Sequence, residues 1–196
     1  MLFDKLRNKR IILASNSPRR RELMSSAGFE FEIADKYDVV ENFPADMPVQ
    51  EVPVFLSRLK SESYPYELKQ DEILITADTV VIVGDVILGK PKDSIEAIDM
   101  LTLLSGRSHK VITGVTIRTA RRTRSFAGHS IVRFRKLLRE EIEYYVDNYV
   151  PMDKAGAYGI QEWIGYVGIK GISGSFYNVM GLPLQQLYVE LDKFIR

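Results

Sequence analysis

The sequence has no cysteine, two histidines and one tryptophan. It also has no apolar run near the ~20 residues that a membrane-spanning helix requires. Without cysteine there are no disulfides, thiolate metal sites or thiol nucleophiles. His109 and His129 stand alone, which argues against a zinc centre. At the N-terminus Asp4 and the short apolar stretch Ile11 to Ala14 do not make a secretory core, so the expected location is the cytoplasm, away from membranes. Acidic residues are missing from one long stretch. Between Arg107 and Arg139 there is no Asp or Glu, while ten cations occur: Arg107, Lys110, Arg118, Arg121, Arg122, Arg124, Arg133, Arg135, Lys136 and Arg139. Such a block could serve a nucleic-acid surface. No aromatic residue interrupts Arg118 to Arg124 for base stacking, and the segment lies between two strand-like runs, which favours a solvated hairpin.

What is present is ordinary for one folded domain. The 196 residues are 45% hydrophobic and 27% charged, with a net charge of +1. This composition excludes a disordered chain. Arg10 to Ala14 reads as a buried strand that stops at Ser15-Asn16-Ser17-Pro18, where Ser17 can cap a helix reaching about Ala27. A second strand is expected over Phe29 to Ile33, a loop over residues 35–50, and a helix over Val52 to Ser63. Ile73 to Val83 is strongly β-prone, interrupted by Ala77-Asp78-Thr79, and Gly84-Asp85 turns the chain into Val86 to Leu88. Asp93 and Glu96 have the spacing of a capping box opening a helix to about Leu104. Val111 to Arg118 and Phe126 to Phe134 read as paired strands, and Glu140 to Val150 as a helix. Strand pieces near Tyr166 to Ile169 and a last helix, Leu184 to Ile195, complete an α/β pattern.

Four segments could carry chemistry. Arg19, Arg20 and Arg21 fall in the first turn of the helix that Ser17 opens, where the helix dipole is already positive. Either an anion such as phosphate sits there or the turn is a solvated basic surface. Asp78 interrupts an apolar strand, and a lone buried carboxylate is costly, so it points to a pairing, a metal or a site edge. Removing its charge is expected to leave stability unchanged or raised. Gly84 to Lys90 matches seven positions of a phosphate-binding P-loop, but Pro91 replaces the hydroxyl residue and Val86 to Leu88 read as a strand. That reading is rejected; Lys90, on the limb returning from Asp78, is either a phosphate ligand or a surface lysine. Finally, Asp153 to Gln161 is a loop of small residues that permits close backbone approach, and Gln161 can both donate and accept at a base edge.

Together and in order, these segments resemble the Maf (septum formation protein) family of nucleotide pyrophosphatases. The matching runs are LASNSPRRREL from Leu13 to Leu23, ADTVV from Ala77 to Val81, GKP from Gly89 to Pro91, LSGRSH from Leu104 to His109, DKAGAYGIQ from Asp153 to Gln161 and GLPL from Gly181 to Leu184. The resemblance implies an inosine-triphosphate-pyrophosphatase-like fold: an elongated, twisted mixed β-sheet flanked by helices, with one domain over residues 1–196 forming two lobes around a central cleft. It implies hydrolysis of dTTP and UTP, or modified pyrimidine nucleotides, to the monophosphate and pyrophosphate, with Mg²⁺ or Mn²⁺. Such nucleotide-pool house-cleaning enzymes have also been linked to cell-division arrest.

By motif, Asp78 matches the proton acceptor and Glu41 the second carboxylate, the two holding the metal. Arg19, Thr79 and Gln161 match the specificity positions of the dTTP/UTP branch. Arg19, Arg20, Lys60 and Lys90 match the phosphate-binding cations. The chain departs from the pattern at Lys60-Ser61, where Lys-Ala is usual, in a loop before Glu41 that is one residue longer, and at Glu162-Trp163, where glycine is frequent. Two alternatives accompany this reading. One is the 7-methyl-GTP branch of the family, against which Arg19, Thr79 and Gln161 argue. The other is a nucleic-acid-binding or division-regulating protein using residues 107–139. A homodimer is compatible with either enzyme reading.

Overall fold

The apolar run Arg10–Ala14 forms the first strand, β1, buried from Ile11 onward. The computed structural model describes residues 1–195. Helix α1 (Leu2–Leu6) precedes β1, and α2 (Pro18–Ser26), β2 (Glu32–Ile33) and α3 (Val52–Glu62) follow it. Next come β3 (Glu72–Val83), β4 (Val86–Leu88), α4 (Ser94–Leu104), β5 (Ser108–Arg118), β6 (Thr123–Phe134) and α5 (Arg139–Tyr149). A 3₁₀ turn (Ala155–Ala157), α6 (Trp163–Gly168), β7 (Ile169–Gly174), α7 (Phe176–Met180) and α8 (Leu184–Phe194) complete the chain.

The strands form one seven-stranded sheet in the order β2-β1-β3-β5-β6-β7, with β4 on β3. β1 runs parallel to both β2 and β3, whereas β3 with β4 and β6 with β7 are antiparallel. This is the expected mixed α/β class, with helices flanking the sheet. Among the described residues no helix is long and apolar enough to cross a membrane.

The local chemistry explains most boundaries. Val83 pairs with Val86 across the Gly84-Asp85 turn, and Gly84 takes φ +60°, a conformation costly for any side chain with a Cβ. Asp93 accepts from the Glu96 amide at 2.8 Å, but the Glu96 carboxylate returns to the Lys92 amide at 2.7 Å, so the expected capping box closes one residue early. Three other expectations are corrected. Ser17 sits at the N-cap of α2 without a side-chain capping bond; its amide donates to Ser15 Oγ at 3.3 Å. The strand expected over Phe29 to Ile33 shrinks to two residues. The segment around Tyr166, expected as strand, is helical until Gly168. There a Cβ on Gly165 would lie 1.8 Å from the Ile160 carbonyl oxygen, so the helix start closes on a local backbone contact that only glycine allows.

The chain divides into two compact units. The first comprises residues 1–78, 113–128 and the segment from Gly181 on. Its core includes Leu13, Leu74, Ile75, Val115, Leu187 and Leu191, each fully buried. Phe3, Phe29 and Tyr188 join α1 to α8 in edge-to-face contacts.

The second unit comprises residues 79–112 and 129–180 and is built on Leu101, Leu104, Ile112, Val132, Tyr145 and Ile164. Here His109 stacks on Phe134 and meets the Tyr158 hydroxyl at 2.7 Å. Burial pushes His109 down to about 4 from its ordinary 6.5. The unfolded chain therefore binds a proton at a pH where the native one does not. The stabilising contribution of neutral His109 is complete above pH 6.5 and is lost as the pH falls towards 4, a change of about 3 kcal/mol. The melting temperature of the wild type is expected to fall more steeply across this window than that of His109→Gln, followed by circular dichroism. Equal slopes would show that His109 does not carry this term.

Candidate active site

In the first unit, three predicted residues meet. The Lys60 ammonium lies 2.6 Å from Asp78 Oδ1 and 3.0 Å from Glu41 Oε2. Lys60 and Asp78 are largely buried, while Glu41 reaches the cluster from the exposed loop over residues 35–50.

The geometry follows from periodicity. Thr76 and Asp78 are two residues apart on β3 and share a face; Ser57 and Lys60 are three apart on α3 and share a helix side. The Thr76 hydroxyl donates to the Ser57 carbonyl at 2.6 Å. Ser57 Oγ, Thr116 Oγ1 and Ser125 Oγ continue a chain of hydroxyl contacts at 2.9 and 2.8 Å. This buried polar ladder fixes α3 against the sheet, and one helical turn onward Lys60 reaches Asp78. The strand is continuous through Ala77-Asp78-Thr79, so the expected interruption is a side chain in place, not a break in the ladder. Because Asp78 is paired with Lys60, removing its charge takes from a largely buried ammonium one of its two carboxylate partners, and a cost in stability is now expected.

Tyr37, unmarked by any sequence signal used above, donates its hydroxyl to the Lys60 carbonyl at 2.7 Å. Burial pushes its phenol up to about 12, so it remains a donor at neutral pH. It thereby ties the stretch leading to Glu41 to the end of α3.

The arginines of α2 divide. The Arg20 Nε donates to the Gly181 carbonyl at 2.7 Å, and its Nη1 donates to Ser15 Oγ at 3.2 Å and the Ala77 carbonyl at 2.9 Å. Burial, and secondarily Arg19, lower its pKa, while Asp78 and Glu41 act in the opposite direction. Arg20 thus joins the α2 start, the residue before Asp78 and the GLPL segment. Arg19 is half-buried beside it. Arg21 Nη2 reaches the Ser15 carbonyl at 3.3 Å.

Among the described residues no three His, Cys, Asp or Glu side chains cluster as a metal site. Asp78 and Glu41 nevertheless converge on one cation, the Lys60 ammonium. Two carboxylates are a donor set of the kind that Mg²⁺ or Mn²⁺ takes alongside water and phosphate oxygens. The residues present therefore fit such an ion.

The second unit holds Thr79, Lys90 and Gln161. Thr79 continues β3 half-buried, and Lys90 is exposed two residues beyond β4. The Gly156 amide donates to the Gly89 carbonyl at 3.0 Å, which ties the GKP segment to the DKAGAYGIQ loop. Gly156 takes φ +69°, a backbone state that L side chains rarely adopt, and a Cβ there would crowd Val81 at 3.0 Å. Ala157 also adopts a left-handed backbone, at φ +58°, an uncommon state for a residue with a Cβ. Gln161 is half-buried, and its Oε1 is fully buried without a hydrogen-bond partner. A third group that sequence reasoning missed supports this loop. Tyr145 hydrogen-bonds Glu162, and Glu162 pairs with Lys154 at 3.1 Å. The departure at Glu162 was the only visible sign of it.

The Maf-like protein family matches residues 10–194. The chain is 53% identical over 192 residues to the dTTP/UTP pyrophosphatase of Bacteroides thetaiotaomicron, covering 98% of this chain and 100% of that one. It is 50% identical over 195 residues to the protein of the same name from Porphyromonas gingivalis, covering 98% of each. Among solved structures it is similar to a Ham1 protein from Coxiella burnetii, at 13% identity and a TM-score of 0.47, covering 94% of this chain and 99% of that one. A Ham1 protein from Staphylococcus aureus gives 17% identity and a TM-score of 0.47 over 64% of this chain and 72% of that one. With the family match spanning nearly every strand and helix that carries Asp78, Lys60 and Gln161, the chain belongs to the Maf family.

Proposed function

We infer that this protein is a nucleoside triphosphate pyrophosphatase that hydrolyses dTTP and UTP to the monophosphate and pyrophosphate. The observation that carries the reading is the cluster of Asp78 and Glu41 on Lys60, at 2.6 and 3.0 Å, in a chain half identical to proteins named for this activity.

Water attacks the α-phosphorus, the bond to the β-phosphate oxygen breaks, and pyrophosphate leaves. Asp78 accepts a proton of the attacking water, a task suited to a largely buried carboxylate already held in one orientation by Lys60. Asp78 and Glu41 would hold Mg²⁺ or Mn²⁺, which supplies charge neutralisation on phosphate oxygens when bound. Lys60, Arg19 and Lys90 are the cations assigned to the triphosphate. Arg20 is assigned there too, although two of its nitrogens hold the backbone of Ala77 and Gly181 and the Ser15 hydroxyl. Thr79 and Gln161 are assigned to the base. Chemistry of this kind needs no covalent nucleophile.

The basic stretch 107–139 supports the enzyme reading over a nucleic-acid surface, because several of its cations are engaged within the fold. Arg135 forms a bidentate pair with Glu141 at 2.7 and 2.8 Å, Arg124 pairs with Glu190, and Arg122 stacks 4.8 Å from the Phe194 ring centre.

Three outcomes test the assignment. In a panel with Mg²⁺, dTTP and UTP are expected to release pyrophosphate with kcat/KM about a hundredfold above ATP and GTP, since two unpaired polar groups suffice for that ratio. ATP turnover equal to dTTP would remove the base preference. Asp78→Asn is expected to lower turnover by about a thousandfold or more and stability by about 1 kcal/mol, the activity loss exceeding what one lost hydrogen bond explains. Near-normal pyrophosphate release by the variant would overturn the role of Asp78. A chelator is expected to stop the reaction and added Mg²⁺ or Mn²⁺ to restore it; full activity in chelator would refute metal binding by the carboxylates.

A further inference from the structure

We propose that Tyr145, Glu162 and Lys154 form a positioning network that sets the Gln161 amide for reading the base, an inference that rests on the pyrimidine pyrophosphatase reading above. The Tyr145 hydroxyl accepts the Gly159 amide at 2.9 Å and donates to Glu162 Oε2. Glu162 Oε1 pairs with the Lys154 ammonium at 3.1 Å, and Lys154 also meets Asp153 at 2.7 Å. The Glu162 amide donates back to the Gly159 carbonyl at 3.1 Å. Gln161 therefore lies between Gly159, whose amide is held by Tyr145 of α5, and Glu162, whose carboxylate is held by the same hydroxyl and whose amide returns to Gly159.

The network fits the loop sterically as well as electrostatically. A Cβ on Gly159 would come within 2.7 Å of the Glu162 carboxyl carbon, so the carboxylate occupies space that only glycine leaves. Lys154 is 9% exposed and Glu162 19%. A pair this buried persists only when its remaining hydrogen bonds are satisfied, which Tyr145 and Asp153 provide. Burial and the Glu162 carboxylate both raise the Tyr145 pKa, keeping the hydroxyl a donor.

The purpose of such rigidity lies in Gln161 Oε1, a buried acceptor without a partner in the protein. Native proteins rarely leave such an atom unsatisfied, and a ligand N–H is the complement it lacks. Thymine and uracil present N3–H as a donor; cytosine presents N3 as an acceptor. An amide oxygen held in place therefore accepts from UTP and repels CTP, two nucleotides of equal size. A loosely held amide could rotate to offer its NH₂ to cytosine, and the discrimination would fade. The network acts through Gln161 and touches neither phosphate nor reacting atoms.

The test compares UTP with CTP as substrates of the full-length chain with Mg²⁺, measuring kcat and KM by pyrophosphate release. Tyr145→Phe keeps ring volume and loses both hydroxyl bonds. It is expected to raise the KM for UTP about tenfold, to change kcat less than about threefold, and to reduce the UTP:CTP ratio of kcat/KM about tenfold. Glu162→Gln, which keeps an acceptor for Tyr145 but not the charge pair, moves the same quantities in the same direction by about fivefold. Should Tyr145→Phe not fold, Glu162→Gln carries the test. A merely structural role predicts a lower melting temperature and an equal loss of kcat for both nucleotides, with KM and the ratio unchanged; that result overturns the proposal. A wild type that prefers UTP beside variants that keep the preference overturns the network alone. A wild type without the preference overturns the base reading and the network together.

Discussion

A carboxylate inside an apolar strand must be compensated, and the first unit is organised around that need. Asp78 lies among Ile75, Ala77, Val80 and Val81 on β3, all buried. Moving an unpaired carboxylate to such a position would be prohibitive. Lys60 meets it at 2.6 Å, but a lysine can do so only if its helix is held at the right height and rotation. The hydroxyls of Thr76, Ser57, Thr116 and Ser125 impose that placement, each fully or partly buried and each bonded. Glu41 and Tyr37 then attach a long irregular segment to the same lysine, through its ammonium and its carbonyl respectively. An ion pair of this kind is weak evidence for stability, since an apolar replacement could pack as well. In the proposed reaction its value lies in holding the Asp78 and Glu41 carboxylates close together.

The second unit solves a different problem, the support of a loop that must stay irregular. Residues 153–162 contain two consecutive left-handed backbone positions and a close approach to Val81, a conformation that isolated peptides would not keep. The Gly89 carbonyl, the His109–Tyr158 contact and the Tyr145–Glu162–Lys154 network hold it from several sides. His109, Tyr158, Tyr145 and Lys154 are buried and polar, so leaving one of them partly satisfied would cost more than an apolar substitute.

Three cations of the basic stretch find partners outside it. Ten positive charges without an acid nearby in sequence look like a binding surface, yet Arg124 and Arg122 meet the C-terminal helix and Arg135 holds Glu141. The Arg135 pair, with the Leu138 amide, brings the Glu141 carboxyl down to about 2 and thereby caps the start of α5. The partners were distant along the chain or just past the end of the block.

Local sequence determined the elements whose causes are local. The apolar run of β1, the Gly84-Asp85 turn of β3 and β4 and the Asp93 cap of α4 could be read without coordinates, because propensity, capping and alternation act over a few residues; Asp78 and Gln161 stood out by their residue chemistry, and Lys60 only through the family resemblance. The resemblance of the motifs to one family extended that reading to the chemistry. The convergence of Asp78, Glu41 and Lys60, the anchoring of Arg20 to Ala77 and Gly181 and the bond from Tyr145 to Glu162 were decided by tertiary structure alone. They depend on groups separated by many residues, and the free energy that selects them comes from satisfying buried charges and hydrogen bonds. Those terms exist only once the chain has closed around them.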